Sequence, residues 1–167
     1  MFAKLACCMN YIALDDFRKA WVFKHQDLPI SESDLAAIKP MTKERAAVLW
    51  STMISRDQDH PDFFNPSEWV GKEDSWSENV DWEQPWEQGE GSLPESITTH
   101  LDWEANTTVY FCMSRDQVIE TNFAVFQRCW QNFMFLCDGS LLVGKKRTAV
   151  VQFMENGEAR LGEKPKG

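Results

Sequence analysis

Hydrophobic residues recur with helical spacing in two stretches of this chain. Thr42 is predicted to cap a helix that ends near residue 55, whose buried side is formed by Ala46, Leu49, Trp50, Met53 and Ile54. Asn122 is predicted to cap a second helix that ends near residue 131, with Phe123, Phe126 and Trp130 along one side. A short helix over residues 32–38 is expected after Ser31, which has Asp34 three positions on as in a capping box.

The second half of the chain has the pattern of an antiparallel sheet. Residues 107–113 are β-branched, aromatic or apolar and predict a strand, and residues 118–121 predict its antiparallel partner. Two hairpins are expected to follow, each around a dipeptide that is a type I′ turn signal. Residues 133–137 and 141–144 flank Asp138-Gly139, and residues 148–154 and 158–162 flank Asn156-Gly157.

The fold class follows from one of these predicted strands. Every residue from 133 to 137 is apolar, so neither face of such a strand is expected to be exposed to solvent. We therefore predict an α+β domain, in which N-terminal helices pack on a C-terminal antiparallel sheet of four to six strands. Residues 21–23 are interpreted as a buried extended piece, and residues 56–91 as an irregular stretch divided by prolines and glycines.

Residues 57–104, called the acidic segment below, carry a distinctive composition. This segment holds fourteen of the twenty-six acids, a single base and five of the eight tryptophans, namely Trp69, Trp76, Trp82, Trp86 and Trp103. Its formal charge is −13, whereas the rest of the chain is +4. Acids favour solvent and tryptophans favour burial, so we expect the rings to cover the second face of the sheet and the carboxylates to face outward. Two other interpretations stay open. The tryptophans could form an exposed surface that binds a partner protein, or their rings could stack on sugars or bases.

Length and composition predict one domain. A chain of 167 residues with 43% hydrophobic content can bury a sizeable core, and we assign residues 10–167 to it, with residues 1–9 as a loose tail and Met9 as an alternative start. The net charge of −9 argues against nucleic-acid binding, and the only basic cluster, Lys145-Lys146-Arg147, is interpreted as a solvated connection between strands. This basic cluster is expected to neutralise part of the negative charge of the acidic segment.

The cysteines and the apolar runs predict a cytoplasmic protein. The five cysteines are odd in number and contain no Cys-x-x-Cys pair, so neither a disulfide framework nor a zinc knuckle is indicated. This usage fits a reducing compartment. No apolar run approaches the roughly 20 residues that a membrane-spanning helix needs, so no membrane association is predicted.

Two polar groups are candidates for chemistry. Asp57, Asp59 and Asp62 can offer oxygens to a hard cation and His60 a nitrogen, although acids after a helix are often only turn formers. His25 and Asp27 are candidates for an acid–base pair, with His60 or His100 nearby in space, although a lone histidine is more often structural.

Other catalytic signatures are missing from the sequence. It contains no Gly-x-Ser-x-Gly elbow, and the scattered glycines form no phosphate loop or dinucleotide fingerprint, so we predict no cofactor. Cys129 follows Arg128, whose charge could lower the thiol pKa, but an ordinary helix position is the preferred interpretation. Whether the protein is an enzyme stays open.

Several short strings of residues are characteristic when taken together. They are Trp21-x-Phe23-x-His25-Gln26-Asp27-Leu28-Pro29, Ile38-Lys39-Pro40-Met41, Asp59-His60-Pro61-Asp62-Phe63-Phe64, Val109-Tyr110-Phe111-Cys112, Cys129-Trp130-x-Asn132-Phe133 and Gly144-Lys145-Lys146-Arg147. With these strings, residues 10–165 resemble a family of uncharacterised short bacterial proteins that is catalogued as a domain of unknown function. The resemblance implies a bacterial, cytoplasmic, single-domain protein and supplies no activity, substrate or site.

Three functional hypotheses remain. The first is a non-catalytic binding or regulatory module whose acidic face engages another protein with a basic surface. The second is a small metal-assisted hydrolase that uses His60 with Asp57, Asp59 and Asp62, or His25 with Asp27. The third is an immunity-type inhibitor that mimics a polyanion, which requires the acids to lie on one exposed surface.

Overall fold

A seven-stranded antiparallel sheet organises the chain, as seen in a computed structural model that describes residues 10–88, 92–136 and 138–165. Its strands are β1 (Lys39–Pro40), β2 (Trp76–Asp81), β3 (Thr108–Ser114), β4 (Gln117–Asn122), β5 (Ser140–Gly144), β6 (Ala149–Phe153) and β7 (Glu158–Glu163). Their order across the sheet is β1-β4-β3-β5-β6-β7-β2, and every neighbouring pair is antiparallel. The two N-terminal strands therefore form the two edges.

Five α-helices lie within the described residues. They are α1 (Glu32–Ala36), α2 (Lys43–Met53), α3 (Glu83–Glu87), α4 (Glu95–Leu101) and α5 (Phe123–Phe133). Short 3-10 helices occupy Leu14–Asp16, Ala20–Phe23, Pro61–Phe63, Trp69–Gly71 and Glu73–Ser75. The α+β class is confirmed.

The predicted helix caps are confirmed. The side chains of Ser31, Thr42 and Asn122 each accept a hydrogen bond from the backbone N–H three residues later, at 3.2, 3.3 and 2.9 Å. Each cap satisfies one of the free N–H groups at a helix start, which is why these polar residues fix where α1, α2 and α5 begin.

The predicted sheet of four to six strands is too small. The two extra strands, β1 and β2, come from the N-terminal half and pair with β4 and β7. Lys39–Pro40 is too short to give a strand pattern. Trp76–Asp81 reads Trp-Ser-Glu-Asn-Val-Asp, and most of these residue types are poor strand formers, so its pairing with β7 rather than its composition makes it a strand.

The predicted strand at residues 133–137 is wrong. Helix α5 continues through Phe133, and residues 134–136 form a turn, while Cys137 lies outside the described residues. Phe133 extends the buried stripe of Phe123, Phe126 and Trp130. The helical spacing of these residues therefore decides the structure here, and the run of consecutive apolar residues does not form a strand. The predicted extended piece at residues 21–23 is also wrong, since Ala20–Phe23 is a 3-10 helix.

The turn between β6 and β7 differs from the type I′ prediction. A type I′ turn needs a positive φ at both central residues, but among the described residues a positive φ outside glycine occurs only at Asp102 and Lys146. Gly157 has φ 82°, and the N–H of Met154 donates to the carbonyl of Glu158. The loop is therefore a three-residue connection that ends on a left-handed glycine.

Both faces of the sheet are covered. On β3, Val109, Phe111 and Met113 belong to a core shared with α4 and α5, whereas Tyr110 and Cys112 belong to a second core shared with α2. The alternation follows from the two-residue period of a strand. The acidic segment contributes to both cores, Trp69 and Trp76 to the α2 side and the other three rings to the α5 side, and strand β2 carries it around the sheet edge.

The predicted tail at residues 1–9 lies outside the described residues, as do Cys7 and Cys8. The assignment of residues 10–167 to one domain stays a prediction.

Candidate functional site

The tryptophans of the acidic segment pack against the fold as expected, but they lie on both faces of the sheet and not on one face as the sequence predicted. Trp103 is buried and the other four are partly buried. Three indole N–H groups also donate to backbone carbonyls: Trp76 to Val70 at 3.2 Å, Trp82 to Glu158 at 3.1 Å and Trp86 to Gln131 at 3.0 Å. Ring burial together with a satisfied N–H holds the segment in place.

The carboxylates of the acidic segment face outward. Of its thirteen described acids, twelve are exposed, and only Glu68 is partly buried. The exposed set is Asp57, Asp59, Asp62, Glu73, Asp74, Glu78, Asp81, Glu83, Glu87, Glu95, Asp102 and Glu104. The segment therefore presents negative charge on a surface that its rings keep ordered.

Glu68 closes the loop that follows α2. Its carboxylate accepts a hydrogen bond from the Ser55 hydroxyl and another from the Arg56 N–H at 2.7 Å. Burial works against ionisation of Glu68, but these bonds and one from the Asp57 N–H outweigh it, so the pKa lies below its ordinary value of 4.5. The carboxylate is thus a structural acceptor.

Replacing Glu68 with glutamine should cost about 1 kcal/mol of unfolding free energy at neutral pH, because charge-assisted bonds are lost and solvent screens part of their strength. The pKa of Glu68 is lower in the folded state than in the unfolded state, so the ionised carboxylate stabilises the folded protein above about pH 4.5. This stabilisation is lost as the pH falls through the folded-state pKa. Urea unfolding of both proteins from pH 7 to pH 3 should show the difference shrinking with acid. Glu73→Gln, at an exposed position of the same segment, should change the unfolding free energy by less than about 0.5 kcal/mol. A difference between Glu68→Gln and the parent that does not shrink between pH 7 and pH 3 would contradict this role.

Arg115 fastens the start of the acidic segment to the turn between β3 and β4. Its guanidinium binds the Asp59 carboxylate and the Ser51 hydroxyl, and it donates to the carbonyls of Arg56 at 3.0 Å and Gln58 at 3.3 Å. The Arg115 N–H also donates to the Asp59 carbonyl at 2.8 Å. Sequence reasoning missed this residue, because it lies 56 positions from Asp59 and no local pattern links them.

Three of the four proposed metal ligands, Asp59, His60 and Asp62, have local contacts. Asp59 binds Arg115, and Asp57 is exposed. His60 Nδ1 accepts the Asp62 N–H at 3.1 Å and lies 3.5 Å from the Asp62 carboxylate, so this histidine caps the 3-10 helix that follows. Across residues 10–88, 92–136 and 138–165, no group of three or more His, Cys, Asp or Glu side chains is placed to hold a metal ion. The metal-site hypothesis stays a prediction that this geometry does not support.

The proposed acid–base residues also have local roles. His25 Nδ1 accepts the Asp27 N–H at 3.2 Å, and its ring stacks on Phe135 with centroids 5.8 Å apart and an interplanar angle of 6°. His100 Nε2 lies 2.9 Å from the carbonyl of Gly162. Catalysis by His25, Asp27 or His60 stays a prediction without a geometric observation in its favour.

The two described cysteines are buried and unpaired. Burial raises the pKa of Cys129 to about 11, and it raises that of Cys112 as well. The neighbouring Arg128 instead binds the Asp34 carboxylate through two hydrogen bonds of 2.9 Å. The thiol of Cys129 is therefore a core group and lacks the low pKa of a nucleophile.

The basic cluster Lys145-Lys146-Arg147 lies at the exposed turn between β5 and β6. Lys146 takes φ 60° there. Within the described parts of the chain, no ion pair joins this cluster to the acidic segment. The expected internal neutralisation of charge is therefore not seen.

The candidate site is therefore a surface of exposed acids whose tryptophans pack on the sheet, and the three histidines have local contacts. A family model matches residues 11–162. The chain belongs to the family described as a protein of unknown function, DUF2947. Neither a curated protein nor a solved structure matches it. In this DUF2947 member, none of the described helices is long and apolar enough to cross a membrane.

Proposed function

We propose that this DUF2947 member is a non-catalytic binding or regulatory module that engages a partner protein with a basic surface through its acidic segment. The observation that carries the proposal is the combination of twelve exposed acids with tryptophans that pack the same segment onto the sheet. An ordered surface loses little conformational entropy on binding. Its acids supply electrostatic complementarity to a cationic partner.

Most of this charge is available to a partner. The ion pairs of the described residues engage only Asp59 and Asp62 within the acidic segment, and hydrogen bonds from backbone N–H groups occupy Glu68 and Asp81. A negatively charged surface accelerates the encounter with a basic protein and repels nucleic-acid phosphates. Affinity for such a partner is expected to fall with salt, because the Debye length shortens.

We further propose a bacterial, cytoplasmic protein. The buried free thiols of Cys112 and Cys129 support a reducing compartment, where disulfides are rare.

Neutralising three exposed acids of the segment tests the proposal. The variant Glu73→Gln, Asp74→Asn, Glu78→Gln removes three charges that make no side-chain hydrogen bond within the described residues. Immobilised parent protein should retain a basic protein from a lysate at about 50 mM salt and release it at about 500 mM. The triple variant should retain several-fold less of the same protein.

A matched control removes three charges outside the segment. Asp16→Asn, Glu44→Gln, Glu155→Gln alters exposed acids and gives the same net charge. It should retain the partner as the parent does. Equal loss in both triple variants would show that net charge alone acts, and no salt-sensitive partner at either ionic strength would contradict the acidic-face function.

A further inference from the structure

The two edges of the sheet differ. At the β1 edge the backbone is covered by the residues that precede it: Ile12 N–H donates to the Pro40 carbonyl at 3.0 Å, and Thr42 N–H donates to the Asn10 carbonyl at 3.0 Å. Tyr11 also forms a bridge with Met41. At the β2 edge, no backbone group of another described segment pairs with the outer side of Trp76–Asp81. Within the described residues, the six residues of β2 therefore have no backbone partner on their outer side.

Side chains hold β2 in strand geometry from its inner side. The Arg160 guanidinium lies 4.0 Å from the Trp76 ring centroid, Ser77 Oγ donates to the Leu161 carbonyl at 3.2 Å, and the Asn79 amide donates to the Glu158 carboxylate at 3.0 Å. The strand is therefore ordered before any partner arrives, which lowers the entropy cost of adding a neighbour. An open, ordered edge is a template for main-chain pairing.

The charge on this edge selects what can pair with it. Residues 73–83 contain Glu73, Asp74, Glu78, Asp81 and Glu83 and no base. A second copy of β2 would bring acids against acids across the new pair, which is unfavourable. A strand rich in lysine or arginine would place opposite charges there.

We infer that the β2 edge binds an extended, lysine- or arginine-rich segment of a partner protein as an eighth strand. The inference rests on the proposed function and specifies its mode. Main-chain hydrogen bonds give the segment its alignment, and the acids of residues 73–83 give it selectivity for cationic sequences.

The test uses a blocked peptide of about eight residues in which lysine alternates with valine and threonine, added to the full chain. Amide hydrogen exchange measured by NMR should slow at β2. A second peptide has the same sequence with N-methyl groups on alternate residues, which removes one row of donors without changing the charge. It should bind about tenfold more weakly or worse, since several hydrogen bonds are lost.

Charge reversal localises the site. Glu78→Lys should weaken binding of the first peptide several-fold, whereas Glu104→Lys, at an exposed acid of the same segment outside β2, should not. Equal binding of the two peptides, lost with salt and without protection of β2, would overturn edge pairing and leave the acidic-face function standing. Binding of neither peptide, or protection of β2 by self-association without peptide, would also overturn it. The acidic-face function is judged separately by the triple variants.

Discussion

Replacing Trp50 with alanine is expected to lower the free energy of unfolding by about 3–5 kcal/mol. Its side chain is 0% exposed and belongs to the core between α2 and the sheet. The indole also packs on Phe64, with ring centroids 5.9 Å apart, and donates to the Gln58 carbonyl at 2.7 Å. Truncation therefore leaves a large cavity and releases the start of the acidic segment.

Urea unfolding followed by circular dichroism measures this loss. Trp21→Ala is the matched control, because the same atoms are removed from a side chain that is 56% exposed, and it should change stability by less than about 1 kcal/mol. Similar losses at the two positions would contradict the placement of Trp50 in the core.

A phenylalanine pair separates packing from hydrogen bonding. Trp130 is also 0% exposed, but its Nε1 has no hydrogen-bond partner within the described structure. Trp50→Phe removes a bond to Gln58, whereas Trp130→Phe removes a buried N–H that was unsatisfied. Trp50→Phe should therefore lower the free energy of unfolding by about 1 kcal/mol more than Trp130→Phe does.

The elements that sequence patterns predicted are those specified by local chemistry. Ser31, Thr42 and Asn122 mark helix starts because a side-chain acceptor and the N–H three residues later suffice for a cap. The strands β3, β6 and β7 were likewise visible from their own residues. Strand β2 was not, because its pairing with β7 joins residues about 80 positions apart.

The candidate site shows the same division. The outward acids and inward rings follow from composition, since each residue type has a strong preference for water or for the core. The partners of individual side chains do not follow from composition. The contacts of Arg115 with Asp59 and of Ser55 with Glu68 depend on the tertiary fold. Sequence proximity suggested that His60 and its neighbouring aspartates are metal ligands, whereas in the fold Asp59 binds Arg115 and His60 contacts Asp62.

Gly71→Ala is expected to lower the free energy of unfolding by about 2–3 kcal/mol, because the added methyl group has no space. A Cβ at Gly71 would lie 1.9 Å from the Asn65 carbonyl oxygen and 2.7 Å from the Asn65 nitrogen, so backbone atoms have to move. The neighbouring Val70 is fully buried, and its carbonyl accepts the Trp76 indole N–H. Displacement at residue 71 should therefore loosen β2 as well as the loop.

Hydrogen exchange distinguishes this local effect from general destabilisation. In Gly71→Ala the amides of β2 should exchange faster relative to those of β3, an interior strand between β4 and β5. Gly144→Ala is the control, because its Cβ would meet side-chain atoms of Arg147 and Trp103 at 3.0 Å rather than backbone, on a strand away from β2. Because Gly144 pairs with Val109 of β3, Gly144→Ala should not raise the ratio of β2 to β3 exchange. If Gly71→Ala has the stability of the parent and the same ratio of β2 to β3 exchange, the close contact between Gly71 and Asn65 does not hold the acidic segment in place. Another contact would then have to order the β2 edge on which the peptide test depends.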